Sequence, residues 1–96
     1  MQIVVAYDVN TETAAGRRRL RKVAQICLNF GQRVQKSVFE CQVNQAQLEQ
    51  LIRQLRNEID EGEDSLRLYR IMEPRDRHTY AYGIQHVLDF QEPLIL

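Results

Sequence analysis

The sequence predicts an α+β sandwich with two helices laid on one face of an antiparallel sheet. Three observations point there. Apolar residues recur at helical spacing in two stretches, near 14–30 and 45–60. Stretches rich in β-branched and aromatic residues, 2–9, 33–43 and 65–72, flank and separate those helices. The chain has 96 residues, which is room for one core and so for a single domain over 1–96.

Residues 2–9, QIVVAYDV, form the first strand and stop at the polar turn Asn10-Thr11-Glu12-Thr13. Ile3, Val5, Tyr7 and Val9 point one way, Val4 and Ala6 the other. Both faces are apolar, so the strand is central. In 14–30, Leu20, Val23, Ala24, Cys27 and Leu28 make one apolar stripe, and Gly31 supplies a C′ stop. Asn44 is the N-cap of the second helix, with Gln47 at the capping-box position. Leu48, Leu51, Ile52, Leu55 and Ile59 line that helix, and Gly62 ends it within an acidic cluster. Residues 65–72, SLRLYRIM, make a further strand, and Pro74 opens a loop through Thr79.

This order is that of the ferredoxin-like βαββαβ sandwich. The fold needs two strands between the helices, so 33–43 must reverse tightly, at Lys36-Ser37. The chain ends on Pro93-Leu94-Ile95-Leu96. An apolar tail either packs on its own core or adds as a strand to a sheet edge, its own or a partner's. Together with the two-faced first strand, it suggests a sheet-to-sheet homodimer to which 80–96 contributes a strand.

Composition is ordinary for a globular protein, with 44% hydrophobic and 27% charged residues. No apolar run is long enough to span a membrane, and the first residues lack the pattern of a signal peptide. Cys27 and Cys41 match no zinc spacing and read as buried thiols of a reducing cytoplasm. No phosphate-binding, dinucleotide-binding or nucleophile-elbow motif occurs. The net charge of +0 hides a polarity, with a basic run at Arg17-Arg18-Arg19-Leu20-Arg21-Lys22 and an acidic one over Glu58–Asp64.

Two features carry candidate chemistry. Asp8 ends the first strand, where a carboxylate on a sheet rim either ligates a hard divalent cation or simply forms a turn. Two copies related by a twofold axis would make a better metal site than one. The basic run crowds the start of the first helix, against the helix dipole. It reads either as a phosphate- or nucleic-acid-binding face or as a solvated helix face. Ser37 has no histidine near it in sequence and reads as a bend residue, while Phe39 suits a core. His78 and His86 have no metal-ligand spacing and read as surface residues. Tyr69, Tyr80 and Tyr82 show no pattern.

The run Val5-Ala6-Tyr7-Asp8-Val9, the arginine-rich helix start and Gly31-Gln32-Arg33-Val34-Gln35-Lys36-Ser37-Val38-Phe39-Glu40 together resemble the CRISPR-associated (Cas) protein two family, the small endoribonuclease of spacer acquisition. Asp64-Ser65-Leu66-Arg67-Leu68-Tyr69-Arg70-Ile71 resembles that family's strand after the second helix. The resemblance covers nearly the whole chain. It implies a ferredoxin-like homodimer in which Asp8 of each copy lies at the seam and binds magnesium. It implies nucleic acid as partner, either duplex DNA or single-stranded RNA, and a CRISPR integrase bridged by the dimer. By motif position it implies nucleic-acid contacts for Tyr7, Arg17, Arg18, Arg19, Arg33 and Phe39. The expected role is spacer adaptation, with metal-dependent phosphodiester hydrolysis at Asp8 as an additional activity. The alternative is a ferredoxin-like regulatory domain that binds a small molecule and no nucleic acid.

Overall fold

The computed structural model describes residues 1–72 and 77–84. The elements run β1 (Gln2–Asp8), α1 (Ala14–Leu28), β2 (Gly31–Gln35), β3 (Val38–Gln42), α2 (Gln45–Glu58) and β4 (Ser65–Ile71). The sheet has the order β2-β3-β1-β4, with every neighbouring pair antiparallel. This is the expected βαββαβ sandwich, with β1 in the interior of the sheet.

Alternation along β1 sorts its side chains. Ile3, Val5 and Tyr7 turn toward the helices and are buried with Val23, Cys27, Leu51 and Leu55. Val4 and Ala6 lie on the other face and are only partly buried. From β4, Leu66 and Leu68 pack against the core. Arg67 and Tyr69 alternate with them and register opposite Ala6 and Val4. One face of the sheet therefore carries the core, and among the described residues no helix covers the other.

α1 begins where Thr13 caps it, its Oγ1 accepting the Gly16 N–H at 3.0 Å. Asn44 caps α2 through the complete box: Gln47 N–H donates to Asn44 Oδ1 at 2.8 Å, and Asn44 N–H donates to Gln47 Oε1 at 2.9 Å. The reversal falls at Lys36-Ser37 as expected, between β2 and β3. It is fastened to β1: Tyr7 N–H donates to the Ser37 carbonyl at 3.1 Å, and Tyr7 Oη donates to the Lys36 carbonyl at 3.4 Å.

Three local expectations are corrected. Gly31 is not a left-handed helix stop but the first residue of β2. A Cβ there would fall 2.1 Å from the Glu40 carbonyl oxygen and 2.7 Å from Cys41 Cα, so the backbones approach too closely for a side chain. Leu28 leaves the apolar stripe and is 54% exposed, because α1 ends there and Ile26 and Phe30 pack against the core instead. α2 ends before Gly62: Ile59 is already extended, and Asp60 turns the chain by accepting the Gly62 N–H through Oδ1 at 2.9 Å. The tail strand expected within 80–96 lies mostly outside the described residues, as do His86 and part of the loop after Ile71; Tyr80–Ile84 form no strand. No described helix is long and apolar enough to cross a membrane.

Candidate nucleic-acid interface

Asp8 is the last residue of β1 and is exposed. It sits in register with Ser65 at the start of β4. Strand alternation places it with Val4 and Ala6, on the face that no described helix covers. Among the described residues its carboxylate has no hydrogen-bond or ion-pair partner. An exposed carboxylate with uncommitted oxygens fits a hard divalent cation. One chain offers little else: among the described residues no three His, Cys, Asp or Glu side chains cluster to hold a metal. A cation held by Asp8 must fill its shell from water, a phosphate or a second Asp8.

α1 starts six residues after Asp8, at the same end of the sheet. Its basic run divides into two parts. Arg17, Arg18, Arg21 and Lys22 are exposed. Arg17 Nη1 donates to the Thr11 carbonyl at 3.1 Å, which leaves most of its guanidinium free to meet another acceptor. Arg19 turns the other way. Its Nε donates to Asp64 Oδ2 at 2.8 Å and its Nη2 to Asp64 Oδ1 at 3.2 Å, with Glu63 Oε2 a further 3.4 Å contact. The Asp64 side chain is fully enclosed and that of Arg19 is 16% exposed. The basic and acidic runs thus meet at one pair. Hydrogen bonding to Asp64 raises the Arg19 pKa, and the same bonds, helped by the backbone N–H groups of Asp60 and Asn10, hold the Asp64 carboxyl below the usual carboxylate range.

Tyr7 and Phe39 are core residues, at 6% and 0% exposure, which corrects the expectation that they touch nucleic acid. Their rings stack with centroids 6.1 Å apart and planes 22° apart. A base has no access to either face. Burial raises the Tyr7 pKa, with a further push from Cys27 and opposition from Arg33. Arg33 is exposed on β2, and its guanidinium carbon lies 5.1 Å from the centre of the Phe39 ring. Its guanidinium thus rests on the Phe39 ring and lowers the Tyr7 pKa while the residue stays exposed.

Cys27 and Cys41 are free and buried, as the sequence suggested. Burial, with Cys41 adding to it against the opposing Arg33, pushes Cys27 up to about 12, and burial with Glu40 beside it pushes Cys41 up to about 11, so both are inert thiols at neutral pH.

Sequence reasoning missed Asp64 as anything more than part of an acidic run. Its partner is 45 residues away, beyond the reach of local periodicity. The one available signal was position, since Asp64 immediately precedes β4 and faces the helix that begins after β1.

A family model described as CRISPR associated protein Cas2 matches residues 1–79. A "CRISPR-associated endoribonuclease Cas2 1" of Moorella thermoacetica is 58% identical over 96 residues, covering 100% of both chains. A "CRISPR-associated endonuclease Cas2" of Halalkalibacterium halodurans is 45% identical over 95 residues, 99% of each chain. Among solved structures, the crystal structure of Streptococcus pyogenes Cas2 at pH 6.5 superposes with a TM-score of 0.79 at 48% identity, covering 86% of this chain and 100% of that one.

Proposed function

The chain belongs to the Cas2 family of CRISPR-associated proteins, and from that premise we propose that it acts as a homodimer that cradles nucleic acid and bridges a CRISPR integrase during spacer acquisition. The observation that carries this reading is the exposed set Arg17, Arg18, Arg21 and Lys22 at the end of the sheet where Asp8 emerges. Cations placed against a helix dipole cost the helix stability, and a phosphate backbone is the partner that offsets that cost. Arginine guanidinium groups meet phosphate oxygens two at a time, which fixes orientation as well as charge. The helix-free face, with Val4, Ala6 and Tyr69 on it, supports pairing with a second copy through the sheets.

Duplex DNA suits the surface better than single-stranded RNA. Single strands are commonly held by aromatic side chains that stack on bases. Here Tyr7 and Phe39 are enclosed, the exposed Tyr69 lies on the other face opposite Val4, and the start of α1 beside Asp8 presents Arg17, Arg18, Arg21 and Lys22. Binding to a duplex backbone needs no stacking platform.

Phosphodiester hydrolysis is a second reading, favoured by the uncommitted, exposed Asp8 and by the nuclease names of the relatives. Asp8 of each copy would hold magnesium, which when bound lowers the pKa of water and offsets charge on the phosphodiester. Arg17 and Arg18 would hold the scissile strand by its phosphates and share the charge that develops there.

Titration of a DNA duplex against wild type and an Arg17→Glu/Arg18→Glu variant tests the first reading. Wild type should bind with a steep salt dependence, and the variant should lose most of the affinity and flatten the slope by about two. Equal binding by both proteins rejects it. No binding by wild type at low salt favours the small-molecule regulatory alternative. The hydrolytic reading turns on Asp8→Asn, which should bind normally and cut nothing; cleavage at the wild-type rate removes Asp8 from the chemistry.

A further inference from the structure

We propose that Asp64 is a positioning residue: with Arg19 it latches the turn between β1 and α1 and thereby sets Asp8 and Arg17 in their working places. The inference rests on the nucleic-acid reading above. It is carried by the number of bonds that converge on one enclosed carboxylate. Oδ1 accepts the Asn10 N–H at 3.0 Å and Arg19 Nη2 at 3.2 Å. Oδ2 accepts Arg19 Nε at 2.8 Å and the Asp60 N–H at 2.9 Å. A carboxylate has about four acceptor positions, and these bonds use them all. The turn after β1 and the first turns of α1 are joined at this one group to the link from α2 to β4, 54 and 45 residues away from Asn10 and Arg19.

The Asn10 N–H lies two residues beyond Asp8, so Asp64 fixes the course of the chain as it leaves the rim. The rest of the turn is built outward from that anchor. Asn10 Oδ1 accepts the Glu12 N–H at 2.9 Å, and the Thr11 carbonyl accepts Arg17 Nη1 at 3.1 Å. The Asn10 carbonyl presses on α1 at Gly16, where a Cβ would come within 1.8 Å of its oxygen. Arg17 is therefore aimed by a turn whose own position depends on Asp64. Arg19 reaches no phosphate in this scheme; it acts through Asp64.

Charge and positioning make opposite predictions, which allows a clean test. Removing a negative charge beside a basic helix should tighten phosphate binding if charge alone matters. Loss of the latch should weaken it. The experiment measures binding of a short random-sequence DNA duplex across a salt series for wild type, Asp64→Asn, Glu63→Gln and Arg17→Glu/Arg18→Glu. Amide hydrogen exchange is followed in the same proteins. For Asp64→Asn the expected result is severalfold weaker binding and a salt slope flatter by about one, as when a single phosphate contact is lost. Exchange should rise at Asn10 and Glu12 while the Val5 and Phe39 amides stay protected. Glu63→Gln should bind at least as tightly as wild type.

Unchanged or tighter binding by Asp64→Asn, with the Asn10 amide released, overturns the proposal. If Asp64→Asn loses protection throughout the sheet, Arg19→Lys replaces it, since it keeps the charge but not the two-pronged contact, and the same readings decide. If Arg17→Glu/Arg18→Glu binds like wild type, the nucleic-acid reading itself fails. If that variant loses binding and the latch variants do not, only the latch is wrong.

Discussion

Replacing Phe39 separates a core ring from a ligand-binding ring. Its side chain is fully buried, stacked on Tyr7 and roofed by the Arg33 guanidinium. Phe39→Ala removes all of this and leaves a cavity between sheet and helices, at a cost of about 3–5 kcal/mol. The aromatic pairing adds about 0.5–1.5 kcal/mol beyond area burial, which places this site toward the upper end of that range. The whole margin of a small domain is about 5–15 kcal/mol, so the alanine variant should be close to unfolding at 37 °C. Phe39→Leu keeps most of the volume and should cost about 1–1.5 kcal/mol, a fall in Tm of roughly 5–10 °C. The assay is thermal and urea unfolding by circular dichroism at fixed protomer concentration, with DNA binding measured on the folded leucine variant. A leucine variant that melts lower and binds DNA as wild type does fits a core residue. One that melts like wild type but has lost DNA binding refutes the argument, because the ring would then be working at the surface.

Four other outcomes are expected. Gly31→Ala should destabilise by about 3 kcal/mol in a urea titration, because its Cβ would lie 2.1 Å from the Glu40 carbonyl oxygen in the neighbouring strand. Asn44→Ala should lower stability by about 1 kcal/mol by the same measurement, through loss of the capping box. The lowered Asp64 pKa contributes stability that is complete above the unfolded carboxyl value of about 3.9 and disappears as pH falls through the lower native value; urea midpoints between pH 7 and pH 2 should fall less steeply in Asp64→Asn. Cys27 and Cys41, pushed to about 12 and about 11, should resist a disulfide reagent at pH 8 and react only as fast as the protein opens.

The sequence carried the fold through local signals that the structure repeats. The apolar run on both sides of β1 marked an interior strand, and the Asn44–Gln47 spacing marked the start of α2. Topology supplied the reversal at Lys36-Ser37, since two helices on one face require two strands between them. Boundaries were less legible where tertiary packing outranks periodicity. Leu28 keeps the helical spacing of its stripe yet is exposed, because the helix stops there and Phe30 takes over the packing. Gly31 has the composition of a helix stop, but its role is to admit β3. The candidate site divides the same way. Exposed Asp8 and the exposed arginines follow from pattern. The commitment of Arg19 to Asp64 does not, since consecutive arginines are indistinguishable until the fold shows which one meets the carboxylate. Phe39 was legible as a core residue from its chemistry, and motif position pointed the wrong way.

The placement of β1 bears on how the chain is made. Of β1–β4 it is the first to leave the ribosome, and its two neighbours are β3 and β4, the latter ending at Ile71. At about 5–20 residues per second, β1 waits roughly 3–12 seconds between its own synthesis and that of its last neighbour. Throughout that interval a strand apolar on both sides has at least one sheet edge open to any passing chain, and both until β3 emerges. A holdase that captures nascent β1, or slow translation between α2 and β4, would therefore alter the yield of soluble protein more than the same intervention after β4 has emerged.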